Sequence, residues 1–208
     1  MTVAEYSWDR LAAAGVRDVF LLVGGAAMHL NDALGREKRL RYTCCHHEQA
    51  CAMAAEGYAR LSGRMAAVNV TSGPGALNAL AGVFGAWTDS VPIVVISGQV
   101  KRETLRSAYR LEALRQLGVQ EADIVASARS LTKYAACVME PQEVRRHLDR
   151  ALLLARAGRP GPCWLDVPLD VQAAEVDPQT LAPGHVEETG PQTSDALQWD
   201  VEQVVQRI

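Results

Sequence analysis

Residues 91–97 are apolar and β-branched almost throughout, and Gly98 ends the run. A stretch this short and this uniform suits a strand buried on both faces of a parallel sheet. It does not stand alone. Residues 19–23 form a similar run ending in Gly24-Gly25, and strand-like runs follow at 40–45, 65–70 and 163–167. Between them lie helical patterns: Ala27, Met28, Leu30, Ala33 and Leu34; an alanine-rich stretch from Glu48 to Leu61 closed by Ser62-Gly63; a small-residue stretch from Ala76 to Trp87; and residues 141–157. Parallel strands need crossover helices, so this order predicts an α/β fold, a doubly wound and mainly parallel sheet with helices on both faces, over residues 1–171.

In such sheets ligands sit outside the carboxyl ends of the strands. Gly24-Gly25, His46-His47-Glu48 and the turn Thr71-Ser72-Gly73-Pro74-Gly75 all fall there. From residue 172 the periodicity fails, and Pro178, Pro183, Gly184, Gly190 and Pro191 mark residues 172–194 as an expected linker. Beyond it Leu197, Val201, Val204, Val205 and Ile208 recur at helical spacing, so residues 195–208 are expected to begin a truncated middle domain.

Composition removes several function classes. At 208 residues, 49% hydrophobic and 22% charged, the chain has a globular profile. A formal charge of −3 with interspersed acids and bases lacks the basic stripe that nucleic acid requires. No apolar run reaches the roughly 18 residues of a membrane helix, and the first residues carry acids where a secretory signal has a basic start. The five cysteines, Cys44, Cys45, Cys51, Cys137 and Cys163, are odd in number and without framework spacing, so they are expected as reduced thiols in a cytoplasmic protein.

Two constellations invite chemistry. Glu48 stands where an apolar strand runs into a helix, a position that also suits an ordinary helix-end carboxylate held by the macrodipole. The turn before Ala76 exposes backbone N–H groups beside two glycines, which suits close approach by a ligand and equally a plain strand-to-helix turn. It lacks the Gly-Lys-Ser/Thr ending of a P-loop, and Gly24-Gly25 does not complete Gly-x-Gly-x-x-Gly. A metal reading of Cys44-Cys45-His46-His47-Glu48 with Cys51 fails to gather ligands, because consecutive strand residues face opposite ways; no metal ligand is assigned.

Together with Gly15-Val16-Arg17-Asp18-Val19-Phe20, His47-Glu48-Gln49-Ala50, Ala55-Glu56-Gly57-Tyr58-Ala59-Arg60, Asp89-Ser90-Val91-Pro92, Ser97-Gly98-Gln99-Val100, Gln120-Glu121-Ala122-Asp123-Ile124, Gly158-Arg159-Pro160-Gly161-Pro162 and Asp166-Val167-Pro168-Leu169-Asp170-Val171, these stretches make residues 5–171 resemble the N-terminal, pyrimidine-binding domain of the acetolactate synthase family of thiamine-diphosphate enzymes. Two segments, Ala27-Met28-His29-Leu30-Asn31-Asp32 and Arg115-Gln116-Leu117-Gly118-Val119-Gln120-Glu121, look like members associated with surface-polysaccharide or modified-sugar pathways.

The resemblance implies the thiamine-diphosphate-binding fold and a catalytic role for Glu48. Its carboxylate would hydrogen-bond N1′ of the aminopyrimidine and favour the imino tautomer that takes the proton from thiazolium C2. A 2-oxo acid such as pyruvate would then add, lose carbon dioxide and yield a two-carbon unit to an oxo acid, aldehyde or keto sugar, a transferase or lyase activity. Gly24, Gly25, Pro74, Gly75 and Asn78 would join Glu48 in binding the cofactor, and Gln120 would reach the substrate.

In the family the cofactor lies against the diphosphate-binding domain of a neighbouring subunit, so a homodimer or tetramer is expected. Magnesium would be held by that diphosphate domain, and FAD, which some members carry, by the middle domain. Neither is in these residues, so the isolated chain is expected to be inactive. The alternatives are a small subunit of a two-chain 2-oxo acid decarboxylase and a non-catalytic binding module. Two departures bear on specificity: Val23 stands where the family often has proline, and Val119 where many acetolactate synthases carry phenylalanine.

Overall fold

The computed structural model of the chain describes residues 1–109, 113–184 and 194–206. Six strands form one parallel sheet: β1 (Asp18–Leu21), β2 (Arg41–Cys44), β3 (Ala66–Val70), β4 (Ile93–Gln99), β5 (Tyr134–Cys137) and β6 (Cys163–Pro168). Their order across the sheet is β2-β1-β3-β4-β6-β5. Of the four inner strands, β3, β4 and β6 are buried at every residue, polar Asn69, Ser97, Gln99 and Asp166 included, and β1 alternates between buried and half-buried residues, while β2 at one edge is exposed throughout.

Helices cover both faces. On one lie α1 (Val3–Ala13), α2 (Met28–Arg36), α6 (Val144–Arg156) and α7 (Leu169–Ala173), around a core that includes Trp8, Leu11, Leu30, Leu34, Leu148 and Leu165. On the other lie α3 (Glu48–Ser62), α4 (Pro74–Thr88) and α5 (Ile124–Ala128), packed through small side chains such as Ala52, Ala55, Ala76 and Ala79. The doubly wound α/β architecture is the one the alternating pattern predicts. Gly63, at φ +66°, ends α3 in the left-handed conformation that glycine adopts at least cost.

Four of these elements, α1, α5, α7 and β5, have no counterpart in the sequence reading. The N-terminal helix α1 is started by a capping box: the Glu5 amide donates to Thr2 Oγ1 at 3.2 Å and the Thr2 amide to Glu5 Oε2 at 2.8 Å. The edge strand β5 carries Ala135 and Ala136, weak strand formers, and is held by its pairing with β6.

Residues 172–184 of the expected linker pack on the domain. Val176 and Leu181 are buried, the Val3 amide donates to Ala174 O at 2.9 Å, and the Val176 amide to Met1 O at 2.9 Å. Gln172 is fully buried, its Nε2 donating to Ala26 O at 2.7 Å and Val167 O at 2.8 Å. A further helix, α8 (Ser194–Val205), spans part of the expected stripe, with Val201, Val204 and Val205 exposed; the Leu197 side chain and Ile208 lie outside what is described. No helix among the described residues is long and apolar enough to cross a membrane.

Candidate functional site

The chain order turns back at β1: β2 lies on one side of it and β3 on the other. The loops leaving β1 and β3 therefore diverge and open a crevice at their carboxyl ends, the usual ligand position in such sheets. Gly24-Gly25 follows β1 and Thr71-Ser72-Gly73 follows β3, so two sequence-predicted glycine turns face one another across that crevice.

Thr71 joins them. Its side chain occupies the space beside Gly24, where a Cβ would stand 2.4 Å from Thr71 Cβ, and beside Gly75, where a Cβ would stand 2.7 Å from Thr71 Cγ2. Thr71 Oγ1 also accepts from the Ala26 amide at 3.2 Å. Gly24 thus makes room for threonine, whereas Gly25 faces open space. Behind the turn, buried Asn69 donates from Nδ2 to Asn31 Oδ1 at 2.7 Å. Thr71, Asn69 and Asn31 are contributors that sequence reasoning did not single out. Their only sequence signal is position beside the glycine turns.

Glu48 is the first residue of α3, after His47, whose Nδ1 caps the helix by accepting from the Gln49 amide at 3.1 Å. Glu48 as a whole is 8% exposed, so its carboxylate meets the positive end of the α3 dipole in a water-poor place. It crosses to α4, where Asn78 Nδ2 donates to Oε2 at 3.0 Å. Oε1 has no donor among the described residues and points towards Gly75, whose Cβ position lies only 3.1 Å away. A side chain at 75 would press on that oxygen, so the glycine keeps it approachable. Pro74, at the first position of α4, is exposed beside it and leaves no unpaired N–H.

Gln120 is brought to the same turn from the far side. Its φ is +60°, unusual for a residue with a side chain, and its carbonyl oxygen is 2.2 Å from the Cβ position of Gly73, which is itself at φ +55°. Glu48, Gly75, Asn78, Gly73 and Gln120 therefore form a continuous set of contacts, with Gly24 reached through Thr71. Val119 is 86% exposed next to Gln120.

Two other groups near the crevice are not free to titrate as they do in water. Burial pushes the Cys51 thiol up to about 12, with Cys45 and then Glu48 adding to it, so Cys51 is an inert thiol beside the site. Asp166, fully buried within β6, is raised to about 7 because burial outweighs the donors Ser97 Oγ at 2.5 Å and Gln99 Nε2 at 2.8 Å.

A carboxyl raised on folding stabilises the fold fully below its unfolded value near 4 and loses that contribution as pH climbs to about 7. Asp166→Asn is accordingly expected to flatten the fall in unfolding free energy between pH 4 and 7 by up to about 1.4 kcal/mol per pH unit. Guanidinium titrations at several pH values measure this, and an unchanged slope contradicts it.

A cavity of 390 Å³ lined by Trp87, Thr88, Lys133, Arg159 and Pro160 lies elsewhere, at the carboxyl end of α4. Trp87 is nine residues beyond Asn78, about 14 Å along the helix. A second cavity of 230 Å³ includes Gln99, Glu121, Ala122, Asp123 and Asp166 and adjoins the Gln120 segment.

Comparison with known proteins identifies the family. Residues 1–127 match the family model described as thiamine pyrophosphate enzyme, N-terminal TPP binding domain. The chain is 42% identical over 170 residues to acetolactate synthase 2, chloroplastic, of Nicotiana tabacum, covering 82% of this chain and 24% of that protein. It is 41% identical over 169 residues to acetolactate synthase, chloroplastic, of Arabidopsis thaliana, covering 81% and 24%. With the acetolactate synthase large subunit of Lactococcus lactis it shares 38% over 193 residues, covering 90% and 32%. The chain thus spans about a quarter to a third of the length of these relatives.

Proposed function

The chain belongs to the thiamine pyrophosphate enzymes as an acetolactate synthase-like N-terminal TPP-binding domain, and on that premise we propose that it activates the cofactor of a carboligase through Glu48. The observation that carries the reading is one carboxylate oxygen of Glu48 tied to Asn78 while the other, without a donor among the described residues, stands against a glycine.

The residues present fit an aminopyrimidine. Gly75 leaves a cradle that a Cβ would fill, and Oε1 is placed to accept the N–H of a protonated ring nitrogen, a charge-assisted bond that a site shielded from water strengthens. Asn78 fixes the carboxylate's direction. Gly25 opens space on the β1 side, Pro74 borders the cradle, and Gln120, seated on Gly73, faces the substrate. When bound, thiamine diphosphate supplies a nucleophilic carbon for the carbonyl of a 2-oxo acid and accepts the electron pair released with carbon dioxide. The substrate class we infer is pyruvate or a similar 2-oxo acid, with an oxo acid, aldehyde or keto sugar as acceptor.

We infer that a diphosphate-binding domain of a neighbouring subunit completes the site, holding Mg2+ and the diphosphate, and that any FAD is held by a middle domain, as the family resemblance implies. Among the described residues no three His, Cys, Asp or Glu side chains gather to hold a metal ion. Helices α3 and α4, which carry Glu48 and Asn78 near their N-termini, also bear outward apolar side chains at helical spacing. These are Met53 and Leu61 on α3, and Leu77 and Phe84 on α4, each at least 43% exposed. We infer that the neighbouring diphosphate domain covers them, since paired apolar stripes of this kind mark an interface.

The test is carbon dioxide release from pyruvate by the assembled enzyme, with and without added thiamine diphosphate. Cofactor-dependent release is expected. A preparation that binds the cofactor yet releases none from any 2-oxo acid overturns the reading.

A further inference from the structure

Between β4 and α5 the described residues form no strand, and one carboxylate organises them. Glu121 Oε1 accepts from the Arg106 amide at 2.8 Å, and Oε2 accepts from the Leu117 and Gly118 amides, both at 3.1 Å. The Glu121 amide returns a bond to Gly118 O at 3.2 Å. Three backbone donors from two separated stretches thus converge on a single side chain, and each bond is charge-assisted. Gly118 is pressed inward, where a Cβ would stand 2.8 Å from Val100 Cγ2 and 2.9 Å from Thr104 O.

Gln120 lies between this knot and a second anchor. Ala122 O accepts from Gln99 Nε2 at 2.9 Å, and the same nitrogen donates to Asp166 Oδ2 at 2.8 Å. Held on both sides, Gln120 keeps its φ of +60° with its carbonyl against Gly73. A backbone conformation that L side chains rarely adopt persists only where the surroundings over-determine it. Here those surroundings are named: Gly73 below, Gln99 with Asp166 on one flank, and the Glu121 carboxylate on the other.

We propose that Glu121 is a positioning residue, which sets where Gln120 and exposed Val119 stand over the Gly73 turn and thereby which acceptor the site takes. The inference rests on the reading of Gln120 as the substrate-facing residue. Glu121 touches no substrate; it acts through the backbone it gathers. An amide in its place keeps one acceptor oxygen but turns an NH₂ group towards a backbone N–H, so at least one bond is lost and the two stretches part.

The test uses the assembled enzyme with pyruvate as donor and 2-oxobutyrate and acetaldehyde as competing acceptors. Glu121→Gln is expected to raise acceptor KM about tenfold and to change the ratio of the two products, while kcat for carbon dioxide release from pyruvate stays within about twofold. Amide hydrogen exchange at Leu117 and Gly118 is expected to accelerate about tenfold in the same variant. Glu121→Asp, which retains the charge one methylene further back, should fall between the two. Faster exchange with unchanged acceptor KM and product ratio would make Glu121 a structural staple only and overturn the proposal. Wild-type enzyme without cofactor-dependent turnover would instead remove the functional reading on which it stands, and the proposal with it.

Discussion

Glu48→Gln in the assembled enzyme is expected to lower turnover by about 10²–10⁴, the usual contribution of a positioned proton-transfer group. Glutamine is nearly the same shape and still reaches Asn78, so the loss comes from the charge. A neutral carboxamide accepts a hydrogen bond from the pyrimidine but does not stabilise its protonated form. Stability should hardly respond. Glu48 is the first residue of α3, where a carboxylate is worth about 0.3–1 kcal/mol through the helix dipole. For a domain of this size that corresponds to a melting shift of no more than about 4 °C. Turnover and thermal melting on the same preparation separate the two effects, and a variant with wild-type turnover sinks the catalytic assignment.

Gly98→Ala is expected to destabilise the fold by at least about 3 kcal/mol, the upper end of the usual cost of overpacking. A Cβ there would lie 2.0 Å from Ala26 O, 2.4 Å from Ala26 C and 2.7 Å from Ala27 N. All three are backbone atoms, so no rotamer change relieves the contact. Either the turn after β1 lifts off the end of β4 or β4 shifts against β6, to which Gly98 is paired opposite Val167. Because that turn carries Gly24 and Gly25, cofactor affinity should fall together with stability. The expected melting shift is roughly 6–12 °C downwards, and a guanidinium midpoint lowered at constant slope identifies it as a loss of native stability. Melting within 2 °C of wild type contradicts the close approach.

The catalytic candidate was legible because its context is local. A strand-like run leading into His47-Glu48 and an alanine-rich helix places the carboxylate at a strand's carboxyl end whatever the rest of the fold does. Its meaning was not legible from position, since a helix-end acid has the same pattern. The contact with Asn78, thirty residues away, and the glycine facing Oε1 separate the two readings. Gly24 illustrates the opposite case: the glycine was visible, but what fills its missing side chain is Thr71 of the chain itself. Glu121 was visible only as one letter of a recurring block, because the amides it gathers belong to residues 106, 117 and 118.

What the sequence determined by itself is the set of buried strands, the helices between them and the glycine turns that end them. Each depends on residues within about fifteen positions, through burial, helical spacing and the conformational range of glycine. Only the tertiary structure decided that β3 lies beside β1 and that β6 enters between β4 and β5. It also decided that residues 172–184 return to cover α1 and the sheet, and that Glu48, Asn78, Gly73 and Gln120 meet. Those are pairings between distant segments, settled by which faces exclude water together and which donors find acceptors once they do, and no local period encodes them.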